Sequence, residues 1–281
     1  MTTPHLSARI LSPRLVGRVW GGDRLRPLAP AGAPAGPIGE AWYGEADERA
    51  GGVLVKLLDV QERLSVQVHP DDELARKIHG ADAIGKHEAW VVLEAADGAE
   101  LLLGREPSVT ADALAAALES GDDVTPLLAR HAVQRGDVFD VPTGALHALM
   151  PGLFIWEVQQ RSDRTYRVAD WGRDDPARPL HRVEALRAAD PAHLTERTGV
   201  IRWGEAGEQP LVASPHFEIR AFVGPWRGEL RMGRLGATVT STAAATIGPL
   251  SLTPLATARL EPGSHQVEIP LGGTLLVAEA R

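Results

Sequence analysis

The sequence predicts a mainly β protein, a sandwich or barrel with a few short helices between strands, and three observations carry that expectation. Short runs that alternate or are rich in β-branched residues recur along the 281 residues. Helical periodicity is confined to a few stretches, and Gly and Pro punctuate most of the gaps.

Taken in order, Trp20-Gly21-Gly22 and Gly39-Glu40-Ala41-Trp42 flank Pro27–Pro37 (PLAPAGAPAGP), whose lack of hydrophobic period reads as a surface loop. Val53–Leu57, Leu64–Val68, Ala89–Glu94, Val138–Val141 and Leu153–Val158 are strand-like. Pro70-Asp71-Asp72-Glu73 places a proline and acids at a helix start, Leu74 and Ile78 share a face, and Gly80 ends it. Thr110 opens a second helix, with Leu114 and Leu118 one turn apart and Gly121 as the stop, and Thr125-Pro126 starts a short third with Thr as cap. Beyond Pro210, Phe217–Val223, Glu229–Leu235, Ala256–Leu260 and Gly273–Ala278 are again strand-like. The polar stretch around Asp174–Gly207 separates the β-rich blocks. The expected division is therefore 1–190, with a short helical insertion at about 108–130, and a smaller β domain over 191–281.

A composition of 44% hydrophobic and 23% charged residues excludes wholesale disorder. The formal charge of -8 gives no bulk attraction to nucleic acid or an anionic membrane, so an anionic ligand has to be caught by a local basic pocket. With no cysteine there are no disulfides, thiolate ligands or cysteine nucleophile, and metal ligation falls to His, Asp, Glu and Gln. Met1–Arg9 lacks an apolar leader core, and no window approaches a membrane span, so a soluble cytoplasmic protein is expected.

Four segments carry the chemistry. In Leu64-Ser65-Val66-Gln67-Val68-His69-Pro70, Ser65, Gln67 and His69 point one way and Val66 and Val68 the other; alone, this is an ordinary half-exposed strand. In Gly85-Lys86-His87-Glu88-Ala89-Trp90, a strand beginning at Lys86 puts Lys86 and Glu88 on one face and His87 on the other. Gly136-Asp137-Val138-Phe139-Asp140-Val141-Pro142-Thr143-Gly144-Ala145-Leu146-His147 places a Gly turn, a strand, a Pro-Gly reversal and a His at fixed offsets. Together they offer Gln67, His69, Glu88 and His147, a nitrogen and oxygen set suited to Zn²⁺, with Fe²⁺, Co²⁺ or Mn²⁺ as alternatives. The fourth segment, Trp156–Arg173, is dense in arginine: Arg167 and Arg173 are planar forks suited to phosphate or a developing oxyanion, and Glu157 is a candidate base.

The third segment matches the second cupin motif, G-x5-P-x-G-x2-H, and these stretches together resemble the type I phosphomannose isomerases of the cupin superfamily. The resemblance runs through Val19–Gly22, Gly39–Trp42, Lys56-Leu57-Leu58, Leu64–Asp72, Gly85–Glu88, Val141–His147 and Glu157-Val158-Gln159-Gln160 to Trp171, about the first 190 residues in register. It implies a jelly-roll (cupin) barrel in two β-rich cupin halves, the first a metal-binding catalytic domain. It also implies an aldose-ketose isomerase that interconverts mannose 6-phosphate and fructose 6-phosphate at one divalent ion, Zn²⁺ by expectation.

By that resemblance Gln67, His69, Glu88 and His147 are the ligands. Lys56, Ser65, Lys86 and Arg173 fall among phosphate and substrate contacts, Arg167 on the catalytic arginine and Glu157 on the general base. Lys86 is a second proton-transfer candidate, since burial or a nearby cation lowers a lysine pKa. Trp20 and Glu40 belong to pocket motifs of unassigned role. The chain departs from the family at His87 and Ala89, and His87 becomes a ligand only if the strand register shifts by one. There is no room for the large helical domain of the eukaryotic enzymes, so the mouth is either more open or closed by Pro27–Pro37. Expected partners are a small sugar phosphate and at most a second copy, as monomer or homodimer. A regulatory sugar-phosphate-binding cupin would keep the barrel and lose the base or the arginine; a cupin dioxygenase would explain neither Gln67 nor the Arg-rich segment.

Overall fold

The computed structural model describes residues 8–29, 35–44, 52–173, 175–176 and 178–281. Its layers follow from side-chain alternation. Leu57, Val91 and Trp156 project to one side of a seven-stranded antiparallel sheet, while Leu58, Val92 and Ile155 project to the other. The strands of this sheet run, in spatial order, 199–200, 137–141, 88–95, 153–159, 54–60, 38–43 and 14–22. Every residue of Leu54–Val60 and of Leu153–Gln159 is buried. That is why apolar residues occur at both parities in these segments: both of their faces are covered.

On one side lies a five-stranded sheet, ordered 166–169, 66–68, 147–149, 100–105 and 128–132, and Leu101, Leu103 and Leu149 close a core against Trp90, Phe139 and Ile155. On the other side a six-stranded sheet built from residues 207–280 and Ala8–Ile10 packs Phe217, Ile219 and Leu276 against Val55, Leu57 and Trp156. A four-stranded sheet covers its far face through Leu230, Ile247 and Val267. The chain is mainly β, two cupin halves back to back, with few helices, as the sequence implies.

Three α-helices are present among the described residues. α1 (Asp72–His79) is capped by Asp71, whose carboxylate accepts from the Leu74 amide, and stops at Gly80 with φ 108°. α2 (Ala111–Ser120) is capped by Thr110 and stops at left-handed Gly121. Both follow the capping signals. Thr125–Leu127 is a single 3-10 turn in which Thr125 is not the cap; Asp123 Oδ1 accepts from the Thr125 amide instead. α3 (Arg182–Ala188) lies in the stretch read from sequence as polar spacer. It buries only Ala185, leaves Val183 67% exposed and has no side-chain cap, so it offers no apolar stripe to detect. α2 and α3 cover the outer face of the five-stranded sheet through Leu114, Leu118 and Ala185. The strand expected at Glu229–Leu235 is displaced to Trp226–Met232, because the residues after Met232 form the turn at Gly233–Gly236. Of the Pro27–Pro37 loop, positions 30–34 lie outside the described residues; Arg26–Leu28 is one 3-10 turn.

The glycines of the two N-terminal motifs permit close strand approach. A Cβ on Gly21 would lie 2.4 Å from the Gly39 nitrogen, and one on Gly39 would lie 2.6 Å from Arg18 Cβ and 2.7 Å from Trp20 Cζ3. No side chain fits there. This packing carries Trp20, Glu40 and Trp42 to the mouth of the first half.

Candidate active site

The space between the seven- and five-stranded sheets is apolar at one end and polar at the other. Leu153 and Ile155 face it within the core, and the same strand parity brings Glu157 and Gln159 to the polar end. Parity likewise aligns Glu88 with Trp90 and Val92, and Lys56 with Leu58 and Val60. From the opposite sheet Gln67 pairs with both His147 and Arg167, which directs three polar side chains inward from adjacent strands.

His69, Glu88 and His147 are fully enclosed, and their ligand atoms all lie within 4.8 Å of one another. His69 Nε2 is 3.3 Å from Glu88 Oε2, and His147 Nε2 is 3.4 Å from Glu88 Oε1. Backbone carbonyls fix the tautomers. His69 Nδ1 lies 2.9 Å from the Arg164 carbonyl and His147 Nδ1 lies 2.9 Å from the Ala145 carbonyl. A carbonyl only accepts, so each Nδ1 carries the hydrogen and each Nε2 turns a lone pair inward. His147 Nε2 and Glu88 Oε1 are buried with no hydrogen-bond partner. Two buried acceptors aimed at one point, beside a third, fit a divalent cation.

Burial lowers the His69 pKa to about 3, with Lys86 adding to the effect, and burial lowers His147 too. Both imidazoles are therefore neutral and available as ligands near pH 7. For Glu88, burial would raise the pKa, but Lys86 and His69 outweigh it and hold the carboxylate ionised. Gln67 is half-buried directly opposite His147 and lines the adjoining cavity.

That cavity, about 230 Å³, is lined by the cations Arg18, Lys56, Lys86, Arg167 and Arg178 and by the acids Glu40, Glu157 and Asp163. It is the local excess of positive charge that an acidic chain needs in order to hold an anion. Ser65 also lines it. Lys86 joins cavity to ligand cluster: Nζ is 3.0 Å from His69 Nε2 and bonds Glu88 Oε2. The lowered pKa expected of Lys86 from burial or a nearby cation is not what this environment favours. Burial does push it down, but Glu88 and Glu157 outweigh burial and raise it, so Lys86 is a held ammonium.

Glu157 accepts from Trp90 Nε1 at 3.1 Å and pairs with Lys56 Nζ at 3.0 Å. Burial and the nearby Glu88 raise its pKa, with Lys56 and Lys86 only partly opposing. Lys56 also lies 4.5 Å over the Trp42 ring. Glu40 receives Arg18 Nε at 2.8 Å and Trp42 Nε1 at 3.2 Å, which assigns the motif glutamate to bracing one wall. Arg167 Nη1 donates to the Pro179 carbonyl at 2.8 Å, while its Nε is buried and without a partner.

Arg173 is not brought to the cavity. Its guanidinium is satisfied by Asp170 Oδ1 and by the Arg63 carbonyl at 2.9 Å, because Asp170 follows the strand 166–169 and captures the nearest fork. Arg178 lines the cavity instead, from an irregular segment with no sequence signal. Arg18 was detectable, since it shares strand parity with Trp20. His87 faces the other way: Nε2 meets Asp140 Oδ1 at 2.8 Å and the ring packs against Phe217, so the register is the one that excludes it as a ligand. The remaining motif residues are struts. Gln160 accepts from the His87 amide at 2.9 Å and donates to Asp72 at 3.0 Å, and a Cβ on Gly85 would lie 2.5 Å from the Pro70 carbonyl. The loop before Glu88 is thereby held against the start of α1.

Residues 39–88 match the model of the catalytic domain of type I phosphomannose isomerases. The chain is 36% identical to the probable mannose-6-phosphate isomerase GmuF of Bacillus subtilis, over 66% of this chain and 69% of that protein. It is 33% identical to a mannose-6-phosphate isomerase of Streptococcus mutans, over 74% of this chain and 76% of that one. Its fold superposes on a crystal structure of the Bacillus subtilis mannose 6-phosphate isomerase with TM-score 0.80 at 25% identity, covering 98% of this chain and 100% of the other.

Proposed function

Because this chain belongs to the type I phosphomannose isomerases, we propose how its own residues perform that family's reaction. It interconverts mannose 6-phosphate and fructose 6-phosphate, and the isomerase reading stands over the regulatory one. The observation that carries the assignment is one polar chamber in which a buried carboxylate base, fixed cations and an inward-facing His-Glu-His set converge.

In the open-chain sugar, isomerisation requires a base that removes the C2 proton and returns it to C1, transfer of the O2 hydroxyl proton to O1, and cations that hold the negative charge on O1 and O2 in between. We assign the proton shuttle to Glu157. Its raised pKa brings it closer to working pH than an exposed glutamate, and Trp90 and Lys56 fix its orientation. Arg167, with its unpartnered Nε, and the Lys86 ammonium are assigned to the enediolate oxygens. Arg18, Lys56, Arg178 and Ser65 are left for the phosphate, a dianion that needs compensating charge in an enclosed site.

His69, Glu88 and His147, with Gln67 as fourth ligand, would hold Zn²⁺, the ion we favour for two imidazoles, a carboxylate and an amide. Such an ion, when bound, polarises or orients sugar oxygens. Among the described residues no helix is long and apolar enough to cross a membrane, and a sugar phosphate is a charged solute that bilayers retain, which supports a cytoplasmic setting.

The test is a coupled assay of the purified protein as isolated, after chelation with the metal content measured, and after Zn²⁺ is restored. Activity should be lost and regained in step with about one ion per chain. Full turnover in metal-free protein would remove the metal from the proposal, and sugar-phosphate binding without turnover in any state would remove the catalytic roles.

A further inference from the structure

A second cavity, about 560 Å³, lies at the rim between the seven- and six-stranded sheets, where the chain crosses from Ala8–Ile10 to the strand Arg14–Gly22. Four arginines line it, Arg9, Arg14, Arg161 and Arg259, and no carboxylate is among its described lining residues. The strand register makes this arrangement costly. Arg9 lies directly opposite Arg259, and Thr238 opposite Arg259 on the other side. Ala8, Ala258 and Leu260 point into the core under the four-stranded sheet, so Arg9, Arg259 and Thr238 all point the other way, towards the seven-stranded sheet. Like charges directly opposite across antiparallel strands are destabilising unless something neutralises them.

Arg161 approaches from the loop after Leu153–Gln159, and its Nε is buried without a hydrogen-bond partner. Arg14 lies over the Trp42 ring at 4.2 Å. Burial depresses the Arg259 pKa; Glu261 opposes this, and the positive charges of Arg161 and Arg9 add to it. An acidic protein has thus gathered guanidinium groups, and an unused buried donor, around a space of ligand size.

We propose that this cavity is a second anion site, distinct from the isomerase chamber, and that it takes a small phosphate-bearing molecule. A phosphate offers several acceptor oxygens to planar forks that converge from two sheets, and its charge relieves the repulsion between Arg9 and Arg259. The shared chemistry fits inorganic phosphate or the phosphate of a small metabolite. The indole of Trp42 forms a wall of this cavity and of the isomerase chamber alike.

The test uses the metal-loaded full chain. Crystals soaked in tungstate should show anomalous density between Arg161 and Arg259 as well as in the isomerase chamber. Calorimetric titration with inorganic phosphate should then show binding weakened at least tenfold in Arg161→Gln/Arg259→Gln, while kcat/KM for mannose 6-phosphate stays within twofold. If the double variant does not fold, Arg9→Gln, which alters an exposed side chain, replaces it, with a loss of at least threefold expected. Density confined to the isomerase chamber, or phosphate binding untouched by these substitutions, overturns the proposal.

Discussion

Replacing Trp90 by Phe keeps an aromatic ring in the core but removes the one N–H that donates to Glu157 Oε2. The bond favours the ionised carboxylate, so its loss raises the Glu157 pKa beyond the elevation that burial and Glu88 already impose. Hydrogen bonds to charged groups contribute about 1.5–3 kcal/mol, and a length of 3.1 Å argues for the lower end. At about 1.4 kcal/mol per unit, the shift is about one pH unit. The carboxylate is the form that removes the C2 proton, so activity is present above this pKa and is lost as pH falls through it. The acid limb of kcat/KM should therefore move about one unit to higher pH, with the plateau at high pH reduced far less. Shrinking the buried ring should also cost about 1–2 kcal/mol of stability, visible in a urea titration and separable from the pH effect. The profile is measured by coupled assay across the acid range with metal held saturating. An acid limb that coincides with the parent's, beneath a uniformly lowered curve, would refute Glu157 as the group that titrates.

Other substitutions separate the remaining roles. Arg178→Ala should raise KM for mannose 6-phosphate at least tenfold and hardly alter KM for free mannose, whereas Arg173→Ala should leave both within about threefold and lower Tm, since Arg173 braces Asp170 and Arg63; equal effects of the two on KM would contradict the cavity lining. Glu88→Gln removes the only charged member of the buried trio, so metal retained after dialysis should fall at least tenfold while Tm of the metal-free protein falls less, and undiminished retention would place the ion elsewhere. Gly39→Ala should destabilise by about 1–3 kcal/mol, because its Cβ meets Arg18 and Trp20 side-chain atoms at 2.6–2.7 Å, and an unchanged denaturation midpoint would show that the strands 14–22 and 38–43 can separate without cost.

The amino-acid sequence by itself determined most of the local elements and singled out His69, Glu88 and His147, whose side chains the fold brings within 4.8 Å of one another. Pro70-Asp71-Asp72-Glu73 and Thr110 announced their helices because helix-start signals act between near neighbours, and the parity of Ser65, Gln67 and His69, or of Lys86 and Glu88, is a property of any extended chain. It also carried the glycines at 21 and 39, whose need for a missing Cβ is met across a strand pair only 18 residues apart in sequence number. What tertiary structure alone decided was which charges meet. Asp170 holds Arg173 through Oδ1 away from the cavity and reaches Arg178 Nε at 3.4 Å through Oδ2, with Arg178 still lining the cavity; Glu88 and Glu157 raise the Lys86 pKa against burial; and the pairing of Ala8–Ile10 with Thr257–Leu260 brings Arg9 against Arg259. Such outcomes depend on distances of a few ångströms between residues far apart in the chain, and Coulombic and desolvation energies vary steeply over those distances, while a one-dimensional pattern records only the order of residues.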